Sequence, residues 1–194
     1  MSDRLNLGRE IQRKSIHLAT TLIPLAYVSI IPKKEHVFLI CVLLSIGFLT
    51  ADLLRMYWKT AEKYFLKTFS VLLRDNELEN NLTGATYLFI GMTLSVFFFP
   101  KTIAVVVMLF LTLADPIAAI AGKMVPIMRI SSKSIGGFLG FFICALIIVT
   151  IAFGFNLSGL IIALATAIVE LIPIKINDNL TIPIVSGYLI IFLK

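Results

Sequence analysis

Residues 102–121 read TIAVVVMLFLTLADPIAAIA, twenty positions with a single charged side chain, Asp115. A hydrocarbon core about 30 Å thick takes about 20 helical residues to cross, and a strand crossing it would alternate instead of running continuously apolar. This stretch therefore predicts a membrane-spanning helix. A carboxylate inside it is costly, so Asp115 marks a place to look for function.

Six more apolar runs lie on either side: 18–31, 36–54, 82–99, 135–155, 157–174 and 180–193. Five of the seven reach spanning length unaided; 18–31 and 180–193 need tilt or polar ends. Seven crossings is the expected count, with six the fallback. Composition agrees, at 59% hydrophobic, 14% charged and a mean hydropathy of +0.99, where a soluble domain carries about 25% charged residues. The expectation is an all-α polytopic membrane bundle, one integral-membrane domain over 1–194. The first run follows basic residues as a signal peptide does, but Pro32, Lys33, Lys34 and Glu35 follow it in place of a small-residue cleavage pattern. It reads as a retained helix. Cys41 and Cys144 sit in apolar runs with no partner at ligand spacing, and read as buried small hydrophobes.

The net charge of +6 fits orientation in a membrane better than nucleic acid. With seven crossings, 13 of the 17 basic residues fall on one face, among them Arg4, Arg9, Arg13, Lys14, Arg74, Lys123, Arg129, Lys133 and Lys175. Only Lys33, Lys34, Lys101 and Lys194 fall on the other. Lys and Arg favour the cytoplasmic side, which puts the N-terminus inside and the C-terminus outside. Between the second and third runs, Trp58, Ala61, Phe65, Phe69 and Leu72 recur at helical spacing, with Lys59, Lys63 and Lys67 as a stripe. That pattern predicts an amphipathic helix in the headgroup zone, a lipid-gripping surface or a substrate gate.

Five polar clusters fall on the same inner face. Glu10, Arg13, Lys14 and His17 share one helical face where the first run begins, and an Arg-Lys pair there suits phosphate oxygens. Asp52 and Arg55 form an i, i+3 pair at the end of the second run, for which ion-paired helix capping suffices. Thr83, Gly84, Thr86 and Tyr87 open the third run, preceded by Arg74, Glu77 and Glu79; Thr83 can cap it, leaving backbone N–H groups for an anion. Asp115 leads through Ala118, Ala119 and Gly122 to Lys133, Ser134, Gly136 and Gly137, a carboxylate suited to nucleotide-borne Mg²⁺ followed by a phosphate-holding helix start. Small-residue packing, including Gly136-x-x-x-Gly140, competes for the glycines. Glu170 to Pro173 and Asp178 to Pro183 flank the last turn, where turn chemistry accounts for Asn177 to Asn179 but not for Glu170. Acids for metal, bases for phosphate and an apolar bundle beside them are the parts of phosphoryl transfer. The chain contains neither a Walker P-loop nor the protein-kinase signature set.

In this order, Glu10–His17, Asp52/Arg55, Leu82–Tyr87, Asp115–Gly122, Lys133–Gly137, Glu170–Pro173 and Asp178–Pro183, the motifs resemble the CTP-dependent lipid kinase family, which includes dolichol, phytol and farnesol kinases and the yeast-type diacylglycerol kinase. The resemblance implies transfer of the γ-phosphoryl group of CTP to the hydroxyl of a membrane lipid alcohol, with Mg²⁺. It further implies essential roles for Arg13, Lys14, Asp115 and Gly122, and phosphate contact for Lys133 and Ser134. Glu170, Asp178 and Asn179 match by position. Pro126 stands near where the family often has a second glycine. Phosphatidate cytidylyltransferase shares a related Asp…Gly…Lys-Ser region, but its C-terminal signature is missing; it is the alternative, and a small non-enzymatic transporter the third. In the expected mechanism Asp115 holds the metal, Arg13, Lys14 and Lys133 neutralise phosphates, and Glu170 or Asp178, or less favourably His17, orients the lipid hydroxyl. That requires Asp115 and Lys133 to share one pocket.

Overall fold

The computed structural model describes residues 2–70, 73, 77, 81–125, 128–130, 133–173 and 176–194. Leu72, Arg74, Glu79, Pro126 and Lys175 lie outside the described residues.

Each of the seven apolar runs holds a helix, the secondary structure that satisfies its backbone internally where no water can. In chain order these are α1 (Ser2–Ala19), α2 (Leu22–Ser29), α3 (Lys34–Tyr57), α4 (Lys59–Phe69) and α5 (Gly84–Phe98). There follow α6 (Lys101–Leu109), a π-helical turn (Phe110–Ala114), α7 (Asp115–Met124), α8 (Ile135–Phe153), α9 (Leu157–Leu171) and α10 (Asp178–Leu193). Side-chain caps set several of the starts: Thr83 opens α5, Ser134 α8, Asn156 α9 and Asn177 α10, each accepting from a backbone N–H of the first turn.

Those boundaries revise the count of crossings. Among the described residues, three helices are long and apolar enough to span a membrane: Lys34–Tyr57, the continuous Lys101–Met124, and Ile135–Phe153. α5, α9 and α10 are apolar but only 15, 15 and 16 residues long, and α2 has eight. Seven full-length spans are therefore not what the helix lengths give. In the first run the cause is Pro24, which has no N–H to offer the carbonyl of Thr20, so α1 and α2 part at Thr20–Thr21. The bundle is all-α as expected, with one small antiparallel hairpin beside it, β1 (Arg129–Ile130) with β2 (Lys133–Ser134), pairing Arg129 with Ser134 and Ile130 with Lys133. The amphipathic helix forms as α4, ending at Phe69.

The α6–π–α7 helix is the axis of the bundle. Ala104 to Met108, Phe110, Leu111 and Ala114 are all buried in it. α2, α5, α8 and α10 pack around this axis, and α1 lies on α7. Outside α5 stands α3, which carries α4; α9 fills the angle between α8 and α10. Away from the core the surface is apolar, as along Ile143, Ile147 and Ile151 of α8, which are 55%, 54% and 81% exposed. Such a stripe is the ordinary exterior of a helix in lipid.

The π turn has an identifiable cause. Pro116 cannot donate to the carbonyl of Thr112, four residues earlier, and its ring crowds that carbonyl. The freed Thr112 oxygen takes a hydrogen bond from Thr21 Oγ1 at 3.3 Å. Widening the turn at this point sets the direction in which the next side chain, Asp115, leaves the axis.

Candidate functional site

α1 brings its polar face against the start of α7. Lys14 Nζ donates to Asp115 Oδ2, and His17 Nδ1 stands 3.7 Å from the same oxygen. One turn earlier Arg13 pairs with Glu10, whose other oxygen meets Lys123 Nζ at 3.2 Å. Burial alone would raise the Glu10 carboxyl, but Arg13, Lys123 and Lys14 outweigh it and hold it below its ordinary 4.5.

α3 ends in a second buried network. Asp52 Oδ2 accepts from the backbone N–H of Thr83 at 2.7 Å, from Thr83 Oγ1 at 3.0 Å and from Thr86 Oγ1 at 2.6 Å. Arg55, also buried, donates to the carbonyls of Glu77 at 2.8 Å and Asn81 at 2.7 Å, and to Asp52 at 3.3 Å. Glu77 in turn accepts from the N–H of Gly84 at 3.0 Å. The first turn of α5 is thus capped by a carboxylate from the preceding segment, which suits its positive end.

The third group joins the hairpin to the last two helices. Lys133 Nζ contacts Glu170 Oε1 at 2.9 Å and Asp178 Oδ2 at 2.8 Å, and also donates to the Glu170 carbonyl. Burial alone would lower the Lys133 amine, but the two carboxylates outweigh it and hold it above its ordinary 10.5. Glu170 Oε2 is buried with no hydrogen-bond partner among the described residues. Asn179 Nδ2 donates to the carbonyl of Gly84 at 2.9 Å, tying α10 to α5.

These groups meet around one cavity of about 390 Å³. Arg13, Lys14, His17, Thr83, Gly84, Asp115, Asp178 and Asn179 line it together with Asp52, Glu77 and a set of apolar side chains. The structure thus brings together residues from all five predicted clusters. Lys133 stands one contact behind the wall, through Asp178, and Glu170 stands behind Lys133. Gly122, Ser134 and Gly136 belong to packing instead. The Ser134 hydroxyl caps α8 through Gly137 N at 3.2 Å and reaches the Gly122 carbonyl at 3.2 Å. A Cβ on Gly122 would come within 2.8 Å of that hydroxyl, and one on Gly136 would strike the Val125 carbonyl oxygen.

Sequence reading undervalued Asp52 and Arg55, treated as a simple cap, and passed over Glu77 as a partner of the α5 start. It also missed Phe48 and Ala51 as cavity walls. An acid and a base at i, i+3 carry no sign of the loop they hold; the amphipathic pattern of α4 was the available signal for Phe65 and Phe69.

A bundle of apolar helices, three of those described long enough to cross a bilayer, around a cavity lined by both acidic and basic side chains defines a membrane protein with a polar cavity. Over 186 residues the chain is 31% identical to an uncharacterized protein of Rickettsia prowazekii, covering 90% of each. It is 30% identical to an uncharacterized protein of Methanocaldococcus jannaschii, covering 94% of this chain and 93% of the relative. The chain belongs to the family of these two proteins. It is also 27% identical to the CTP-dependent diacylglycerol kinase 1 of Schizosaccharomyces pombe, with 93% and 92% covered. That more distant likeness supports kinship with the lipid kinases. No family model and no solved structure matches the chain.

Proposed function

We propose that this protein is a CTP-dependent kinase that moves the γ-phosphoryl group onto the hydroxyl of a membrane lipid alcohol, at the cytoplasmic boundary of the bilayer. One observation carries the reading: Arg13, Lys14 and His17 line one cavity together with Asp115 and Asp178, with apolar side chains completing its wall. Bases neutralise a triphosphate, acids meet a metal or a hydroxyl, and an apolar wall suits a greasy acceptor. The full-length likeness to the fission-yeast kinase agrees in direction.

Mg²⁺ fits this donor set as an ion carried by the nucleotide. Among the described residues no group of three or more His, Cys, Asp or Glu side chains stands ready to hold a metal. Mg²⁺ at such sites is typically held by one or two carboxylates plus phosphate oxygens, and Asp115 is the carboxylate that would hold it. When bound, it supplies neutralisation of charge on the phosphates.

The chain's own residues do the rest. Arg13 offers a fork to non-bridging oxygens, while Lys14, on leaving or sharing Asp115, offers a point charge. Asp178, steadied by Lys133, accepts the proton of the lipid hydroxyl as the lipid oxygen bonds to the γ-phosphorus. The bond from that phosphorus to the β–γ bridging oxygen breaks, and CDP departs. Asp52 is saturated by four donors and serves to fix the cavity wall.

The test is to incubate purified protein in lipid vesicles with a panel of lipid alcohols and CTP labelled at the α or the γ phosphate. Transfer of γ label to lipid is the expected result. Transfer of α label instead would mean a cytidylyltransferase, and no transfer by folded protein would overturn the enzymatic reading.

A further inference from the structure

We propose that the hydrocarbon next to the acceptor's hydroxyl docks between α3 and α4, against Phe48 and Ala51 on one side and Phe65 and Phe69 on the other. The inference rests on the lipid-kinase reading and assigns the acceptor's place within that cavity. The cavity wall divides by element. α1, α7 and α10 contribute most of its charged and amide groups, whereas α3 and α4 contribute Phe48, Ala51, Phe65 and Phe69. The one acid that α3 adds to the wall, Asp52, is already bonded to Thr83, Thr86 and Arg55. A nucleotide's phosphates gain nothing from four such side chains, while a hydrocarbon chain does.

The apolar half also has a mouth. Ile16 and Phe48 line the cavity and are themselves 39% and 37% exposed. Phe48 precedes Asp52 by four residues on α3, which sets it roughly 6 Å further along the helix, toward the middle of a membrane-spanning segment. With Ile16 of α1 and Phe48 of α3 as its exposed rim, this side of the cavity would open toward hydrocarbon, so that a tail enters sideways and never crosses water. Phe48 is fixed at this rim by stacking on Phe89 of α5, ring centroids 4.8 Å apart.

α4 closes the other side. Phe65 lies under the Arg55 guanidinium at 5.4 Å and against Phe69 at 5.1 Å, so the wall is tied to the Asp52 network. On its outer face Lys59, Lys63 and Lys67 are exposed, where they meet anionic headgroups. At about 390 Å³ the cavity is at the small end of ligand pockets. It admits only the part of the lipid nearest the hydroxyl, together with phosphate. Bulk near the hydroxyl therefore governs which alcohols are accepted, and the far tail, still in the bilayer, does not.

The experiment is photo-crosslinking of the full chain in phosphatidylcholine–phosphatidylglycerol vesicles. The probe is a long-chain alcohol carrying a diazirine two or three carbons from its hydroxyl, and labelled peptides are read by mass spectrometry. Labelling of the α3 and α4 peptides that hold Phe48, Phe65 and Phe69 is expected. In turnover, Phe65→Ala and Phe69→Ala should raise KM for the alcohol about tenfold, with KM for CTP nearly constant and Phe65→Leu restoring most of the loss. Label confined to α8 or α9, or an equal rise in both KM values, overturns the proposal. Should no lipid be phosphorylated, the kinase reading falls, but label on α3 and α4 still upholds the docking site and label elsewhere still removes it.

Discussion

Lys14 and Asp115 are 101 residues apart in the chain and meet as a buried ion pair on the wall of the cavity. Their side chains are 4% and 10% exposed, so neither charge has much water to fall back on.

Removing one partner strands the other. Asp115→Asn is expected to cost about 3–5 kcal/mol and to abolish turnover. The double variant Lys14→Met/Asp115→Leu replaces both charges with apolar bulk and should recover most of the stability with no recovery of activity. Thermal unfolding in detergent beside a γ-label transfer assay separates the two effects. Activity in the double variant would take the pair out of the chemistry.

Pro116 gives a test of the π turn. Pro116→Ala restores an N–H that can bond the Thr112 carbonyl and let the axis continue as α-helix. The melting temperature should hold or rise, while kcat falls at least about tenfold because Asp115 is re-aimed. A variant both stable and fully active would show that the widened turn has no part in placing the carboxylate.

Gly91 and Gly47 make a matched pair. A Cβ at Gly91 would strike the carbonyl oxygen of Asn179, whereas one at Gly47 meets nothing within 4 Å. Gly91→Ala should push the start of α10, with Asp178 and Asn179, off the cavity and cost about 1–3 kcal/mol. Gly47→Ala, in the interior of α3, should be neutral or stabilising by up to about 1 kcal/mol. Chemical or thermal denaturation of both variants decides the matter.

The Lys133 amine is held above 10.5 by Glu170 and Asp178. A raised amine contributes stability that is fully present below its unfolded value and is lost as pH rises through the folded one. The melting temperature of the native protein should therefore show no loss from this group up to about pH 10 and a fall beyond 10.5. Lys133→Met should be less stable at neutral pH and should lose that alkaline step. An identical alkaline fall in the variant would assign the step to other groups.

Much of the fold was legible because the membrane reads sequence simply. Long apolar runs have one economical conformation in lipid, so the helices of 36–54, 102–121 and 135–155 followed from hydropathy alone. Their ends did not, since Pro24 and the caps at Asn156 and Asn177 trim neighbouring runs by local chemistry that hydropathy ignores. The hairpin at Arg129–Ser134 was illegible for a similar reason: two residues per strand leave no period to read.

By itself the sequence determined which residues are polar where polarity is costly, and so named Arg13, Lys14, Asp115, Lys133, Glu170 and Asp178 before any contact was known. Only the tertiary structure decided how they divide. It set Asp115 and Asp178 on the cavity, Lys133 and Glu170 just behind it, and Ser134 and Gly136 in helix packing. It also gave the cavity its apolar half from Phe48 and Phe65, ordinary core and surface residues in a string of letters. The physical reason is that the desolvation cost of a charge is a property of one position, whereas the partner that offsets it is fixed by how distant helices pack.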